Sequence, residues 1–170
     1  MEEDKKLYKE YLNGNEEAFN KIVNKYKTNL IYFISTYVKD LDVAEDIFQD
    51  SIIYIIENKE KYDNKYSLKA YLYLIAKSRA LNYIKKNNKT IRLEDDLEEK
   101  ELLEEIICSK ERKEKILEAI NELPEEYRRV IYLTKVEKLS YKETAEIMDK
   151  KVSQIRTLAH NSKEKLKEIL

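Results

Sequence analysis

This chain of 170 residues has one glycine (Gly14), one proline (Pro124), one cysteine (Cys108), one histidine (His160) and no tryptophan. Each shortage closes off a class of answers. With so little Gly and Pro, tight turns and β-hairpins are scarce, which favours an all-α fold. A lone cysteine excludes an internal disulfide and any Cys-rich zinc site, so Cys108 is expected to be a buried or idle thiol. One histidine, no Gly-rich phosphate loop and no nucleophile–base–orienter set make an enzyme a poor reading. No cofactor is expected. No run of about 18 apolar residues is present, so no membrane span is expected. The N-terminus, MEEDKKLYKEYL, is acidic and amphipathic, unlike a signal peptide. A cytoplasmic protein is the expectation.

Charge, by contrast, is abundant. Asp, Glu, Lys and Arg make up 39% of the chain, with 33 basic and 34 acidic residues, for a net charge of -1. Bulk electrostatics therefore would not drive the protein onto nucleic acid, and any attraction must come from local patches. Such a patch lies in residues 65–92, KYSLKAYLYLIAKSRALNYIKKNNKTIR, which hold Lys65, Lys69, Lys77, Arg79, Lys85, Lys86, Lys89 and Arg92 and no Asp or Glu. Within it Leu68, Tyr71, Leu72, Ile75, Ala76 and Leu81 recur at helical spacing and should share one face. Tyr66, Tyr71, Tyr73 and Tyr83 interleave with the cations. Lys and Arg follow phosphates, and tyrosine rings stack on exposed bases at roughly 1–3 kcal/mol each. A core helix with a solvated basic edge would read the same way.

Upstream, residues 3–12 predict a short helix with Leu7, Tyr8, Tyr11 and Leu12 inward. Gly14 suits its C-terminus and Asn15 the next N-cap. Phe19, Ile22, Val23, Tyr26, Leu30, Phe33, Ile34 and Tyr37 carry an apolar stripe to about residue 38. Asp42 is expected to cap a third helix, DVAEDIFQDSIIYIIEN. At about 100° per residue, Asp42, Glu45, Asp46, Gln49 and Asp50 share one face, and Ala44, Ile47, Phe48, Ile52 and Ile55 the other. The polar face is either solvated or made for a basic partner surface; it contains no lysine. A polar loop over residues 57–67 precedes the acid-free helix.

After Asn88 the charge inverts. Residues 94–105, EDDLEEKELLEE, are acidic and thin in apolar content, which reads as a linker. The organisation is two small helical domains, residues 1–88 and 109–170, joined by an acidic linker over 89–108. The second begins with the helix KERKEKILEAINEL. Pro124 fits the first position of another, PEEYRRVIYLTKVEK. Ser140 and Glu143 form a capping-box pattern, MDKK is a turn, and Ser153 is expected to cap a last helix with Ile155, Leu158, Ala159 and Leu166 inward. Helix, turn and longer helix make a helix-turn-helix. Its outer face offers Gln154, Arg156, Thr157, His160 and Asn161, with Lys150 and Lys151 in the turn and Ser153 at the helix start. Side chains of these types meet base edges and phosphates in a major groove.

These blocks resemble, in order, the bacterial RNA polymerase sigma factors. LYKEYLNGNEEAFNKIVNKY is similar to the start of the family's second region, DLDVAEDIFQDSIIYI to its core-binding helix, and SLKAYLYLIAKSRALNYIKK to its promoter-melting helix. ILEAINELPEEYRRVIYLTKVEKLSYKETAEIMDKKVSQIRTLAHNSKEKL resembles the fourth region. With only these two regions, the arrangement resembles the small extracytoplasmic-function (ECF) type. Asp46, Gln49 and Asp50 match the D-x-x-Q-D motif, which implies polymerase binding by Asp42, Glu45, Asp46, Gln49 and Asp50. The loop from about Lys59 to Ser67 stands where the family pockets a flipped minus-ten base. Tyr71 stands where Trp is frequent, Asn82 where Asp is usual and Lys85 for the usual Arg. The resemblance thus implies minus-ten contact and melting by Tyr66, Lys69, Tyr71, Lys77, Arg79, Asn82, Lys85 and Lys86.

In the fourth region, Leu123, Pro124 and Arg128 match L-P-x-x-x-R. Glu143, Ala145 and Ile147 match the E-x-A helix, and Ile155 and Arg156 match the start of the minus-thirty-five recognition helix. Two departures stand out. Met148–Asp149–Lys150 lacks the usual turn glycine, so Asp149 or Lys150 is expected to take the left-handed conformation. Asn161–Ser162 replaces the usual Arg-Ala. The implied partners are core bacterial RNA polymerase and double-stranded and melted promoter DNA. An anti-sigma factor is admitted as a third, and no membrane is involved. The rival readings are an autonomous helix-turn-helix regulator and a pure protein-interaction module.

Overall fold

A computed structural model of the chain describes residues 2–87 and 113–170. The acidic segment read as a linker lies outside the described residues, as do Lys89, Arg92 and Cys108. Every regular element among the described residues is helical. The chain divides into two compact units, Met1–Glu99 and Lys100–Leu170.

In the first unit, α1 (Glu2–Leu12) ends at Gly14, whose φ of 105° is open to glycine and costly for other residues. Asn15 occupies the N-cap position of α2 (Glu16–Val38), although its side chain makes no capping bond. The helix α2 is the element on which α1, α3 and α4 all pack. Its run from Leu30 to Thr36 is buried on every side. An unbroken apolar turn of this kind marks a helix surrounded by neighbours. Lys39, left-handed at φ 55°, stops α2, and Asp40 then caps α3 (Leu41–Glu57) by accepting from the Val43 N–H at 3.2 Å. The expected cap, Asp42, instead lies in the first turn, where a carboxylate faces the positive helix end. The last helix of this unit, α4 (Leu68–Asn87), is capped by Ser67, whose Oγ accepts from the Ala70 N–H at 3.2 Å.

Some inward assignments change. Leu12 is exposed, and the buried polar residue of α1 is Asp4, which receives hydrogen bonds from Lys25 (2.8 Å) and the Tyr26 hydroxyl. In α4, Tyr73 is fully buried with its ring edge-on to Phe33 at 4.9 Å, whereas Tyr71 is half-buried and Leu81 exposed. Tyr73 is therefore a core residue and not a base-stacking one.

The second unit comprises α5 (Lys113–Glu122), α6 (Glu125–Ile131), α7 (Tyr141–Met148) and α8 (Val152–Ile169). Pro124 precedes α6 as its N-cap residue, one position before the expected place. The single helix expected over 124–138 changes pitch. Residues Tyr132–Val136 form a π-turn, with the Glu137 N–H bonded to the Tyr132 carbonyl at 2.9 Å. Val130 and Ile131 at the end of α6 and Tyr132 and Leu133 at the start of this turn are all buried. Lys138 at φ 57° ends it. The helix α8 packs on α5, α6 and α7.

Candidate polymerase and nucleic-acid interfaces

The polar face of α3 is as regular as its sequence period. Asp42, Glu45, Asp46, Gln49 and Asp50 are all exposed, and Ala44, Ile47, Phe48 and Ile55 are buried beneath them. The sequence reading missed the continuation of this face. Ile53 and Ile56, one and two turns further on, are 51% and 47% exposed. A groove of about 440 Å³ opens between α2 and α3, lined by Val23, Lys27 and Ile31 on one wall and Glu45, Gln49 and Ile53 on the other. The surface is thus acidic at the start of α3 and apolar toward its end. Such a surface can accept a partner that is basic at one end and apolar at the other.

The second face lies on α4 and the loop before it. Tyr62 anchors that loop: its ring is buried, edge-on to Tyr8 at 5.4 Å and 4.9 Å from Tyr71, and its hydroxyl donates to the Tyr66 carbonyl at 2.7 Å. The Tyr8 hydroxyl donates to the Lys59 carbonyl at 2.5 Å. Tyr66 and Tyr71 are therefore brought together by Tyr62, a residue the sequence reading did not single out. Burial pushes the Tyr8 and Tyr71 phenols above their ordinary value, so both stay neutral donors at physiological pH.

Cations from this loop and helix sit over tyrosine rings. Lys65 lies 5.3 Å from the Tyr66 ring, Lys69 5.9 Å from Tyr26, and Arg79 4.7 Å from Tyr54, with Lys61 5.7 Å from Tyr54 as well. A ring positions a cation without neutralising it, at about 0.5–1 kcal/mol where exposed. Tyr54 is the second residue missed; its signal was an aromatic on α3 outside the core period. Lys77 is half-buried, and Asn82, Lys85 and Lys86 are exposed along the last turns of α4.

The third face is the helix-turn-helix. Ser140 accepts from the Glu143 N–H at 3.0 Å and Glu143 accepts from the Ser140 N–H at 3.3 Å, a complete capping box. Asp149 takes the glycine's place in the turn, left-handed at φ 54°, ψ 50°. The expected cap at Ser153 is corrected: Lys151 is the N-cap residue, and its N–H donates to Gln154 Oε1 at 2.8 Å. Ser153 follows in the first turn, where its carbonyl accepts from the Thr157 hydroxyl at 3.1 Å. Val130, Ala145, Ile155 and Ala159 form the core that fixes α8. Lys151, Ser153, Gln154, Arg156, Thr157, His160 and Asn161 are all exposed, so one face gathers them. Lys150 is half-buried and ion-paired with Glu126 at 2.6 Å. Ser162 fills the slot of the usual alanine. It is 0% exposed, and its hydroxyl donates to the Leu158 carbonyl at 2.5 Å.

A helix-turn-helix with a polar outer face, accompanied by a helical unit that sorts acid and base onto different helices, defines a two-unit all-helical protein of the helix-turn-helix class. Family models match both units: sigma-70 region 2 over residues 22–90 and sigma-70 region 4 over residues 113–166. The chain is 28% identical to the ECF RNA polymerase sigma-E factor of Haemophilus influenzae, over 95% of this chain and 92% of that one. It is also 28% identical to the ECF sigma factor SigW of Bacillus subtilis, over 98% and 96%. Among solved structures it is similar to CnrH, in complex with the cytosolic domain of CnrY. There the TM-score is 0.67 at 18% identity, covering 98% of this chain and 96% of that one. Similar too is RpoE of Bartonella quintana, in complex with the anti-sigma factor NepR, with a TM-score of 0.62 at 18% identity over 89% and 95%. The chain belongs to the sigma-70 family of RNA polymerase sigma factors and is of the ECF type. That membership favours the sigma reading over the autonomous regulator.

Proposed function

We propose that this chain acts as a promoter-specificity subunit. It binds core bacterial RNA polymerase through the α3 face, reads an upstream promoter element through α8, and holds the downstream element through α4 as it opens. It has no catalysis of its own and works in the cytoplasm; no described helix is long and apolar enough to cross a membrane. The observation that carries the reading is the exposed one-signed face of α3 beside the acid-free α4. Two helices of opposite charge on one small unit serve two different partners, one basic and one anionic. On α4, Lys77, Arg79, Lys85 and Lys86 take phosphates, and Tyr66 and Tyr71 take unstacked bases. Extruding a base costs a few kcal/mol, so opening proceeds only where the pocketed base repays that cost. By likeness to RpoE, solved with an anti-sigma factor, an anti-sigma factor is a further proposed partner. The polymerase-binding and minus-ten domain spans residues 1–88 and the helix-turn-helix domain residues 109–170, with a linker between.

The test is run-off transcription with core polymerase from the promoter of the protein's own operon, using wild type and Asp50→Lys. Asp50 is exposed on α3, so the substitution should leave the fold within about 0.5 kcal/mol of wild type. Charge reversal there should abolish co-purification with core enzyme and the transcript. Unchanged co-purification would remove α3 from the polymerase interface.

A further inference from the structure

Lys150 lies two residues before α8, in the turn that brings the recognition helix to DNA. Its Nζ is 2.6 Å from Glu126 Oε1 on α6. The lysine side chain is 28% exposed and the glutamate 47%, so the pair is open to solvent and to a competing anion. The next residue, Lys151, is exposed. A phosphate reaching this turn meets one available ammonium and one already held by a carboxylate. We infer that Glu126 acts as an internal stand-in for a DNA phosphate, occupying Lys150 and thereby setting the duplex affinity of the helix-turn-helix. The inference rests on α8 and its turn being the DNA face.

The physical argument is one of exchange. To contact a phosphate, Lys150 must leave a carboxylate of the same charge at hydrogen-bond distance, so its net gain is small. Glu126 then stays behind as an unpaired anion near the backbone, which is repulsive. Duplex affinity is thus held below what the count of lysines would give. Base-reading side chains on α8 are untouched, so discrimination between sequences is preserved. A structural account of the same pair makes a different prediction. If Glu126 only staples α6 to the turn, its loss destabilises the unit and weakens DNA binding.

The test uses the full chain and a fluorescent 30-bp duplex of arbitrary sequence, because phosphate contacts are independent of sequence. Binding is measured at several salt concentrations for wild type, Glu126→Gln, Lys150→Ala, the double variant and Arg156→Ala. Glu126→Gln should bind several-fold more tightly. Freeing one phosphate contact steepens the salt dependence by about 0.9 in log–log slope, so the gain should shrink about 3.5-fold between 50 and 200 mM salt. In the Lys150→Ala background the same substitution should lose most of its effect. Equal gains with and without Lys150 would overturn the inference, since Glu126 would then act by general repulsion. Weaker binding by Glu126→Gln would also overturn it, in favour of the staple. If Arg156→Ala and Lys150→Ala both leave binding unchanged, the DNA-face reading of α8 fails and takes the inference with it. Weakened binding by Arg156→Ala with a silent Glu126→Gln sinks the inference alone.

Discussion

Thr144 sits in the middle of α7 at 0% exposure, and its hydroxyl has no hydrogen-bond partner. Its backbone N–H is bonded to the Ser140 carbonyl at 2.9 Å, so the helix itself is intact. An unsatisfied buried hydroxyl costs about 1–3 kcal/mol. Valine keeps the branched shape, has nearly the same helix propensity and adds a buried methyl where the hydroxyl was. Thr144→Val should therefore stabilise the second unit by about 1 kcal/mol, against the usual direction for a core substitution. The chain has two units and no tryptophan, so a single melting curve is a poor assay. Amide exchange of core residues of the second unit, such as Val130, Ala145 and Ile155, isolates the unit. A gain of 1 kcal/mol slows their globally limited exchange about fivefold. Thr144→Ser keeps the hydroxyl and loses the methyl, so it should speed exchange. If Thr144→Val exchanges faster than wild type, the hydroxyl is satisfied and the reasoning is wrong.

In the first unit, Tyr73→Ala removes a fully buried ring packed on Phe33 and should cost about 3–5 kcal/mol, read as faster amide exchange of that unit's core residues such as Phe33 and Ile34; a loss below about 1 kcal/mol would return Tyr73 to the surface. Burial alone would raise the Asp4 carboxyl, but hydrogen bonds from Lys25 and Tyr26 and the Lys25 charge outweigh it and hold it below its ordinary 3.8. A depressed folded value means stability that is present above pH about 4 and lost as the pH falls through that lower value. Asp4→Asn should thus be destabilised at neutral pH and approach wild type in acid, and a constant gap across pH would exclude the linkage. Ser140→Ala breaks the capping box and should cost about 1 kcal/mol in the second unit, measured by the same amide exchange; no change would mean that the box adds nothing to α7.

What could be read from sequence was whatever is set locally. Gly14 and Asn15 sit at a helix end and start because backbone geometry there depends on the residue itself. The Ser140–Glu143 box depends on two residues three apart, and it formed. The five-residue face of α3 follows from the period alone. Failures came where two equal candidates compete or where tertiary packing decides. Asp40 and Asp42 can each cap, and only one begins the helix. Tyr71 and Tyr73 are the same residue type two positions apart, on different sides of α4. Nothing in the pattern says that Phe33 of α2 waits for the second. Asp4 looks like one more surface charge until Lys25 and Tyr26 close over it. The π-turn over Tyr132–Val136 is likewise not legible, since the five successive apolar residues Leu30–Ile34 are buried in α2 with no change of pitch.

A net charge of -1 gives no bulk attraction to DNA, and the geometry shows why none is needed. Screening limits a charge to about 8 Å at physiological salt. The helix α4 alone, at 20 residues, is roughly 30 Å long, so a phosphate near it meets its row of cations and few of the acids elsewhere. Local sorting therefore gives attraction at the faces that need it, while the neutral total keeps non-specific binding to bulk DNA low. Cations held over tyrosine rings add to the first effect, because Arg79 is positioned with its charge intact. Lys150, held by Glu126, adds to the second. A specificity subunit should not occupy promoters by itself, where it would compete with its own holoenzyme. On this reading, low autonomous affinity is set by side chains that read no bases, and sequence choice is left to those on α8 that do.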